Sequence, residues 1–416
     1  MIRVALVCEF ENLNGAERSL LAAVDRLSGV TVQFSVVCPP HGLLTNAFVR
    51  RNIPVYPLEW KDSVGKTISM EERRARFADV MTHIQGDPKT AVDLVHANSL
   101  SSSRMTGPVC RQAGISSIGH IRDIVRLNRQ VIADLNDHAA ILCVSEATLQ
   151  YHREQGLDAK KSYVAYNGID TRVFYPRWPI PLQGREIIEE ETPFLLPNYP
   201  SPDPLRIGMA GQISLRKGMD VLLEAMERLA AKRAAGNARA TAPLILEIAG
   251  SRQSEKAETA LLEERIRAKA ERINQNQGEH GVLVRFLGQL DSLPDWLRSL
   301  DVYVHAARQE PLGRVLLEAA ATGTPVVATN VGGTAEIFPS DGSDQNETGF
   351  QSRLGAILVP PNDPEKLANA LLPLLEGNSA SLRRQTLAYQ GWRQAVERFT
   401  DQQAAQTLFR FYETTR

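Results

Sequence analysis

The sequence predicts an α/β protein built from two doubly wound parallel sheets. Three observations carry this. The chain has 416 residues, enough for two or three domains with cores of their own at roughly 150 residues per domain. Short apolar runs alternate with longer helical patterns almost throughout, as parallel strands and crossover helices do. The alternation breaks once, at 175–204, in the proline-rich and acidic stretch YPRWPIPLQGREIIEEETPFLLPNYPSPDP. Such a stretch fits neither a core strand nor a long helix. It reads as a linker at 176–204 between a domain at 1–175 and a second beginning at 205, with room for one short helix.

Within the first domain, 2–7 reads as a strand and 16–27 as a helix with Leu20, Leu21, Ala23, Val24 and Leu27 on one side. A strand at 32–38, a helix at 43–51, a strand at 55–58 and a charged helix at 70–84 follow. Strands at 94–97, 118–120 and 140–144, a helix at 146–155 and a strand at 162–166 close this half. In the second half, strands fall at 206–210, 244–249, 282–286, 302–305, 326–329 and 356–359. Helices fall at 219–235, 255–275, 294–300, 315–321, 364–375 and 381–412. Two such sheets joined by a linker leave a cleft, and open parallel sheets bind ligands at the carboxyl ends of their strands.

Composition excludes several classes. Lysine and arginine number 47 against 48 acidic residues, so no nucleic-acid partner of the strongly basic kind is expected. Hydrophobic residues make up 43%, too many for a disordered chain. Cys8, Cys38, Cys110 and Cys143 lack the spacing of a metal or redox motif and read as buried reduced thiols, so a cytoplasmic location is expected. The apolar N-terminal run is too short for a signal h-region or a membrane span. No G-x-G-x-x-G with a following acid and no P-loop occurs. The acidic residues within 341–344 read as a solvated turn rather than a metal loop. Arg73, Arg74 and Arg76 offer a possible peripheral contact with anionic lipid headgroups, against the simpler reading of a solvated helix face.

The most informative loop is HAARQEPLGRVLLEAAATGTPVVATNVGGTAEIF, 305–338. Glu310 precedes a helix that begins near Arg314 and contains Glu318. An eight-residue offset is about 80° off a shared helix face, so Glu310 belongs to the loop and Glu318 to the helix, and both can touch one extended ligand. Backbone N–H groups of Gly313, Arg314 and Val315 have no intrahelical acceptor, and the dipole there is positive, which suits a phosphate or diphosphate. Arg314 adds charge, and the carboxylates accept from hydroxyls. Hydroxyls on both sides of a diphosphate describe a nucleotide sugar.

The segment EPLGRVLLEAAATGTPVVATNVGGTAEI closely resembles the signature of retaining GT-B glycosyltransferases, in particular glycosyltransferase family 4. NLNGAERSLLAAV is similar to that family's N-terminal glycine loop, VAYNGIDTRVF to its end-of-domain segment, and GMAGQISLRKGMDVLLEAM to its first strand-loop-helix of the second domain. VRFLGQLDSLPDWLRSLDVYVHAA is similar to the run leading to the signature. The resemblance spans nearly the full length in order, the linker excepted.

It implies two Rossmann-like domains facing each other across a cleft, the second (205–395) binding a nucleoside diphosphate sugar and the first mostly a hydroxyl acceptor: a glycan, a lipid-linked glycan or a small molecule. Glu310 would hold donor-sugar hydroxyls and Glu318 the ribose, with Gly313, Arg314 and Val315 flanking sugar and diphosphate. Lys217 would neutralise the leaving diphosphate. Gln212 stands where many members carry arginine, and Arg216 is the candidate replacement; Ala306-Ala307 stands where a serine is common. His120 would lie near the donor sugar's hydroxymethyl group or the acceptor, with Arg122 and Asp123 as weaker candidates. Gly15 and Ala16 would meet the diphosphate through backbone amides, only one glycine standing where many relatives have two. Glu17 would cap or balance the helix start. The base would be read by backbone around 286–290, near Leu290.

No metal or cofactor is expected beyond the donor itself, UDP being the first expectation for its nucleotide and GDP the next. Retention through front-face displacement is implied, in polysaccharide or glycoconjugate synthesis. The final helical stretch, 390–412, would return at 396–416 to the first domain, with Phe399, Phe409 and Phe411 packing there. A nucleotide-sugar epimerase or hydrolase, or a non-catalytic sugar-nucleotide binder, are the alternatives.

Overall fold

The computed structural model describes residues 1–62, 64–178, 204–235, 243–252, 256–276, 281–340, 342 and 351–416. The chain divides into two compact units, Met1–Asp170 with Phe399–Arg416, and Thr171–Arg398. The first contains β1 (Ile2–Val7), α1 (Gly15–Leu27), β2 (Val32–Cys38), α2 (Leu43–Val49), β3 (Val55–Pro57), α3 (Met70–Gly86), β4 (Leu94–Ala97), α4 (Leu100–Ala113), β5 (Ser116–Ile121), α5 (Arg129–Asn136), β6 (Ala140–Cys143), α6 (Glu146–Arg153) and β7 (Ser162–Val164). The second contains β8 (Leu205–Ala210), a 3-10 turn Leu215–Lys217, α7 (Met219–Ala235), β9 (Leu244–Ala249), α8 (Ala257–Gln275), β10 (Val282–Gly288), α9 (Leu293–Arg298), β11 (Val302–His305), α10 (Arg314–Ala321), β12 (Val326–Thr329), α11 (Thr334–Ile337), β13 (Gln351–Arg353), β14 (Ala356–Val359), α12 (Pro364–Leu375) and α13 (Ala380–Arg398). The last helix, α14 (Asp401–Thr415), belongs to the first unit.

Among the described residues each unit holds one seven-stranded sheet, ordered β3-β2-β1-β4-β5-β6-β7 and β10-β9-β8-β11-β12-β14-β13. The first is parallel throughout. The second departs from the expected all-parallel pattern at one edge, where β13 pairs antiparallel with β14. β1 shows why its sequence is a continuous apolar run. Ile2, Val4 and Leu6 join the core beneath α1, while Ala5 and Val7 join the core beneath α3 and α4. Alternate residues serve opposite faces of one strand, and both faces are covered.

Three helices, α4, α5 and the four-residue α11, lie where the sequence predicts none. α4 is Ser-rich and carries Pro108, so it lacks an apolar stripe. It starts at a Ser99–Ser102 capping box and ends at Gly114 in the left-handed region. α5 starts at Asn128, whose side chain accepts from Val131 N.

The expected single helix over 381–412 is overturned. α13 stops at Arg398, and α14 restarts at Thr400, where Thr400 and Gln403 form a reciprocal capping box. The break is fixed from outside the helix: Ile169 N donates to Phe399 O and Asp401 N to Ile169 O. Gly168 permits this close approach, since a Cβ there would lie 2.6 Å from both Thr400 O and Asp401 Cα. α14 then buries Ala405, Leu408 and Tyr412 in the core that holds Val4 and Leu6, with Phe409 and Phe411 packed against it.

The unit boundaries fall at 170 and 398 rather than at 175 and 395. Residues just past the first boundary are anchored in the second unit: Trp178 is buried and packs edge-on to Trp392, ring centroids 6.4 Å apart. Residues 179–203 of the linker expected at 176–204 lie outside the described residues, as do 341, 343 and 344 of the acidic turn.

Candidate active site

Strand order places the chemistry of the second unit. β8 and β11 are neighbours, but their outgoing connections lead to opposite sides of the sheet. The loop after β8 carries Lys217 and the loop after β11 carries Glu310, so residues 93 positions apart meet at the topological switch point. Lys217 Nζ donates to Glu310 Oε2 at 2.6 Å. His305 Nε2 donates to the same oxygen at 2.9 Å, and Arg216 Nη1 stands 3.8 Å away. Lys217 and Glu310 are 9% and 7% exposed. Burial alone would push the Glu310 carboxyl upward. Lys217, the His305 hydrogen bond and Arg216 together outweigh it and hold the carboxyl below its ordinary range. His305 is held neutral by burial and by Lys217 beside it.

The two loops are strapped together. Arg308 makes a bidentate pair with Asp220 at the start of α7, 2.9 and 2.7 Å, and donates to Leu215 O at 2.6 Å. Arg308 N donates to Arg216 O. Gly218 sits at φ +68 with its missing Cβ 1.9 Å from Ala306 O, so no side chain fits there. Gly313 sits at φ +103, where a Cβ would meet Leu316 at 2.5 Å. Gly333 N donates to Glu310 O at 3.1 Å, which ties the Gly332-Gly333 turn to the Glu310 loop.

The other expected residues of this unit are placed as follows. Arg216 is exposed and donates to Gln309 O at 3.2 Å, which brings a second cation to the Glu310 loop. Gln212 is partly buried in the loop between β8 and the 3-10 turn. Val315 is partly buried in the first turn of α10, and Leu290 partly buried after β10. Arg314 Nε donates to Glu318 Oε1 at 2.6 Å, so its guanidinium is held in place by that carboxylate. The two side chains are one helical turn apart on α10, and Glu318 is buried.

In the first unit, His120 is a buried residue of β5, and the strand continues past it to Ile121. Arg122 donates to Asn98 O, Asn98 Oδ1 and Asn167 Oδ1, at 3.0, 2.7 and 2.6 Å. Asp123 is exposed, and its carbonyl accepts from His152. Gly15 and Ala16 open α1, and Asn14 makes no side-chain cap. Glu17, in the third position of that helix, is buried. Burial raises its carboxyl, opposed by the backbone N–H groups of Glu17 and Asn14 and by the charge of Arg122.

The basic stretch of α3 is engaged within the chain. Arg73 lies over the Trp60 ring, Arg74 pairs with buried Asp134 at 2.7 Å, and Arg76 pairs with Glu72 at 2.6 Å. The four cysteines are free and buried. Burial pushes Cys110 and Cys143 up to about 12, so neither presents a thiolate. Among the described residues no cluster of three or more His, Cys, Asp or Glu is placed to hold a metal ion, and no helix is long and apolar enough to cross a membrane.

Two family models match in tandem: Glycosyltransferase Family 4 over residues 13–173 and Glycosyl transferases group 1 over 204–377. The chain belongs to glycosyltransferase family 4. Family members similar to it include a D-inositol 3-phosphate glycosyltransferase of Xylanimonas cellulosilytica, 29% identical over 65% of this chain and 58% of that protein. A lipopolysaccharide core biosynthesis mannosyltransferase of Rhizobium meliloti, LpsB, is 27% identical over 66% of this chain and 65% of its own. The matches thus span less than two thirds of these relatives' length. Among solved structures, Anabaena HepE in complex with UDP and glucose superposes over the full length of both chains with TM-score 0.73 at 18% identity. Sucrose-phosphate synthase from Thermosynechococcus elongatus does so with TM-score 0.70 at 20% identity, covering 100% of this chain and 99% of that one. These neighbours show the GT-B fold.

For this family 4 chain, sequence reasoning missed His305 and Arg308. His305 reads as the last residue of a buried strand. Its signal is position, five residues ahead of Glu310 at the carboxyl end of β11. Arg308 and Asp220 each look like ordinary surface charges until strand order brings them together.

Proposed function

We propose that the protein is a retaining glycosyltransferase. It moves a hexose-type sugar from a nucleoside diphosphate sugar, UDP or GDP, to a hydroxyl acceptor of a glycan, lipid-linked glycan or small molecule, in polysaccharide or glycoconjugate synthesis. The observation that carries this reading is the Lys217–Glu310–His305 cluster. Glu310 is kept ionised in a nearly water-free setting, and its protein hydrogen bonds converge on Oε2. Among the described residues none reaches Oε1, so that oxygen remains to accept from sugar hydroxyls. Lys217 has three N–H donors and uses one on Glu310. The others suit the diphosphate.

In the reaction, the bond from the anomeric carbon to the diphosphate oxygen breaks, and the acceptor oxygen forms the new bond on the same face. The acceptor proton passes to the departing diphosphate. Negative charge grows on that leaving group, and a fixed ammonium beside it stabilises the transition state more than the ground state. Arg216 adds a second cation from the same turn. Ribose contact at Glu318, and an acceptor side in the first unit near Gly15, Ala16 and His120, complete the reading. A cytoplasmic site of action and a metal-free reaction are part of it.

The test is a thermal-shift screen of UDP- and GDP-sugars. A donor at 100 times its Kd adds about 2.7 kcal/mol of stability. Product analysis with and without hydroxyl acceptors then separates transfer from hydrolysis or epimerisation. A binder that turns nothing over, or stabilisation that survives Glu310→Gln and Lys217→Ala unchanged, overturns the assignment.

A further inference from the structure

The first unit contains a buried chain of hydrogen bonds that leaves one tautomer available to His120. Tyr412 OH and His96 Nδ1 are 2.7 Å apart, and His96 Nε2 and His120 Nδ1 are 3.3 Å apart. Arg122 Nη2 lies 3.2 Å from His120 Nδ1. The imidazole planes differ by 15° with centroids 5.5 Å apart, so the rings meet edge to edge.

A guanidinium can only donate, so His120 Nδ1 must be an acceptor. His96 Nε2 then has to carry its proton, or two lone pairs would face each other. That leaves His96 Nδ1 bare, and the Tyr412 hydroxyl donates to it. Burial is the main cause that lowers both histidines, His96 to about 3, so neither charges near neutral pH. The one proton left on the His120 ring sits on Nε2. That nitrogen is buried and has no partner among the described residues.

We propose that Tyr412 and His96 are positioning residues that, with Arg122, fix His120 as a neutral Nε2–H donor aimed at an oxygen lone pair of a bound substrate. His120 is thus a hydrogen-bond donor and not a base. The anchor of the relay is a side chain of α14, the last helix of the chain. A buried donor left without an acceptor is costly, so the site favours ligands that present an oxygen there. The ligand part of this inference rests on the proposed function; the tautomer part does not.

The test uses the full chain with 15N-labelled histidine. Long-range 1H–15N spectra of the free protein should show His96 and His120 in the neutral Nε2–H form from pH 6 to 8. An Nδ1–H signal for His120, or its titration in this range, overturns the proposal. Tyr412→Phe removes only the hydroxyl. His96 should keep its Nε2–H form, which Arg122 still imposes through His120 Nδ1, while its Nδ1 resonance moves on losing the Tyr412 hydrogen bond and circular dichroism stays unchanged; an unaltered His96 Nδ1 signal overturns the relay.

For the ligand, UDP-glucose, UDP-N-acetylglucosamine and GDP-mannose are the probes, each checked for binding by thermal shift. A bound probe should move the His120 Nε2–H resonance, and UDP alone separates a sugar oxygen from a phosphate oxygen. In turnover, His120→Gln, which keeps an N–H near the Nε2 position, should stay within 10-fold of the parent, and His120→Asn should lose more than 100-fold. Equal losses, or a bound probe that leaves the resonance unmoved, overturn the proposal. Absence of binding by every probe counts against the proposed function, and the spectra of the free protein still decide the tautomer.

Discussion

Lys217 Nζ and Glu310 Oε2 lie 2.6 Å apart in a nearly solvent-free pocket, although 93 residues separate them in the chain. Lys217→Ala removes the principal cation at Glu310. Turnover is expected to fall about 10²- to 10³-fold, the usual loss for a transition-state donor. Donor affinity should fall less. Stability should drop by about 1–3 kcal/mol, because the buried carboxylate keeps only His305 and the more distant Arg216. Single-turnover kinetics and urea unfolding read both effects. Unchanged turnover by a variant that binds donor normally would falsify the leaving-group role.

Gly218 is the point where the Lys217 loop touches the strand before Glu310. Gly218→Ala places a Cβ at φ +68 and 1.9 Å from Ala306 O. The left-handed conformation alone costs about 1–2 kcal/mol for a residue with a side chain, and the backbone clash adds to it. The expected outcome is a loss above about 2 kcal/mol together with weaker donor binding, measured by denaturant unfolding and calorimetry. A variant with parental stability would show that this loop is free to move.

Acid should weaken the same site. The Glu310 carboxyl is depressed in the fold from an ordinary value of 4.5. The native state therefore binds fewer protons than the unfolded chain as pH falls below about 4.5. Its contribution is fully present above that pH and is lost as pH falls toward the depressed native value. The stability difference between the parent and Glu310→Gln should hold steady down to about pH 4.5 and shrink from pH 4.5 to about pH 3. A constant difference across that range would show that no charge is held at this position.

Thr400 sets the break between α13 and α14. Thr400→Ala deletes the capping box with Gln403 and should cost about 1 kcal/mol. Hydrogen exchange should rise selectively in 401–405, where the helix start loses its cap. Exchange that rises equally across α13 would place the restart elsewhere.

Much of the fold is legible in the chain because both sheets are buried on two sides. Strands such as 2–7 and 302–305 stand out as unbroken apolar runs. α4 is not legible that way, because its buried residues mix Met105 and Cys110 with Ser102, Ser103, Thr106 and Gly107 instead of forming a stripe of large apolar residues. The split of the last helical stretch is written in Thr400 and Gln403, but their pattern competes with an uninterrupted helical period on either side. At the site, Glu310 and Lys217 announce themselves through loop context and resemblance. His305, Arg308 and the pairing that ties Arg314 to Glu318 depend on distances that only the strand order creates.

The helix that completes the first sheet's core is encoded after the whole of the second unit. During synthesis the apolar side of α1, with Leu20 and Val24, emerges long before Leu408 and Tyr412 exist to cover it. At about 5–20 residues per second that wait is on the order of tens of seconds. The nascent N-terminal half therefore passes through a stage with an uncovered greasy surface, and it can mature only once Asp401–Thr415 has been made.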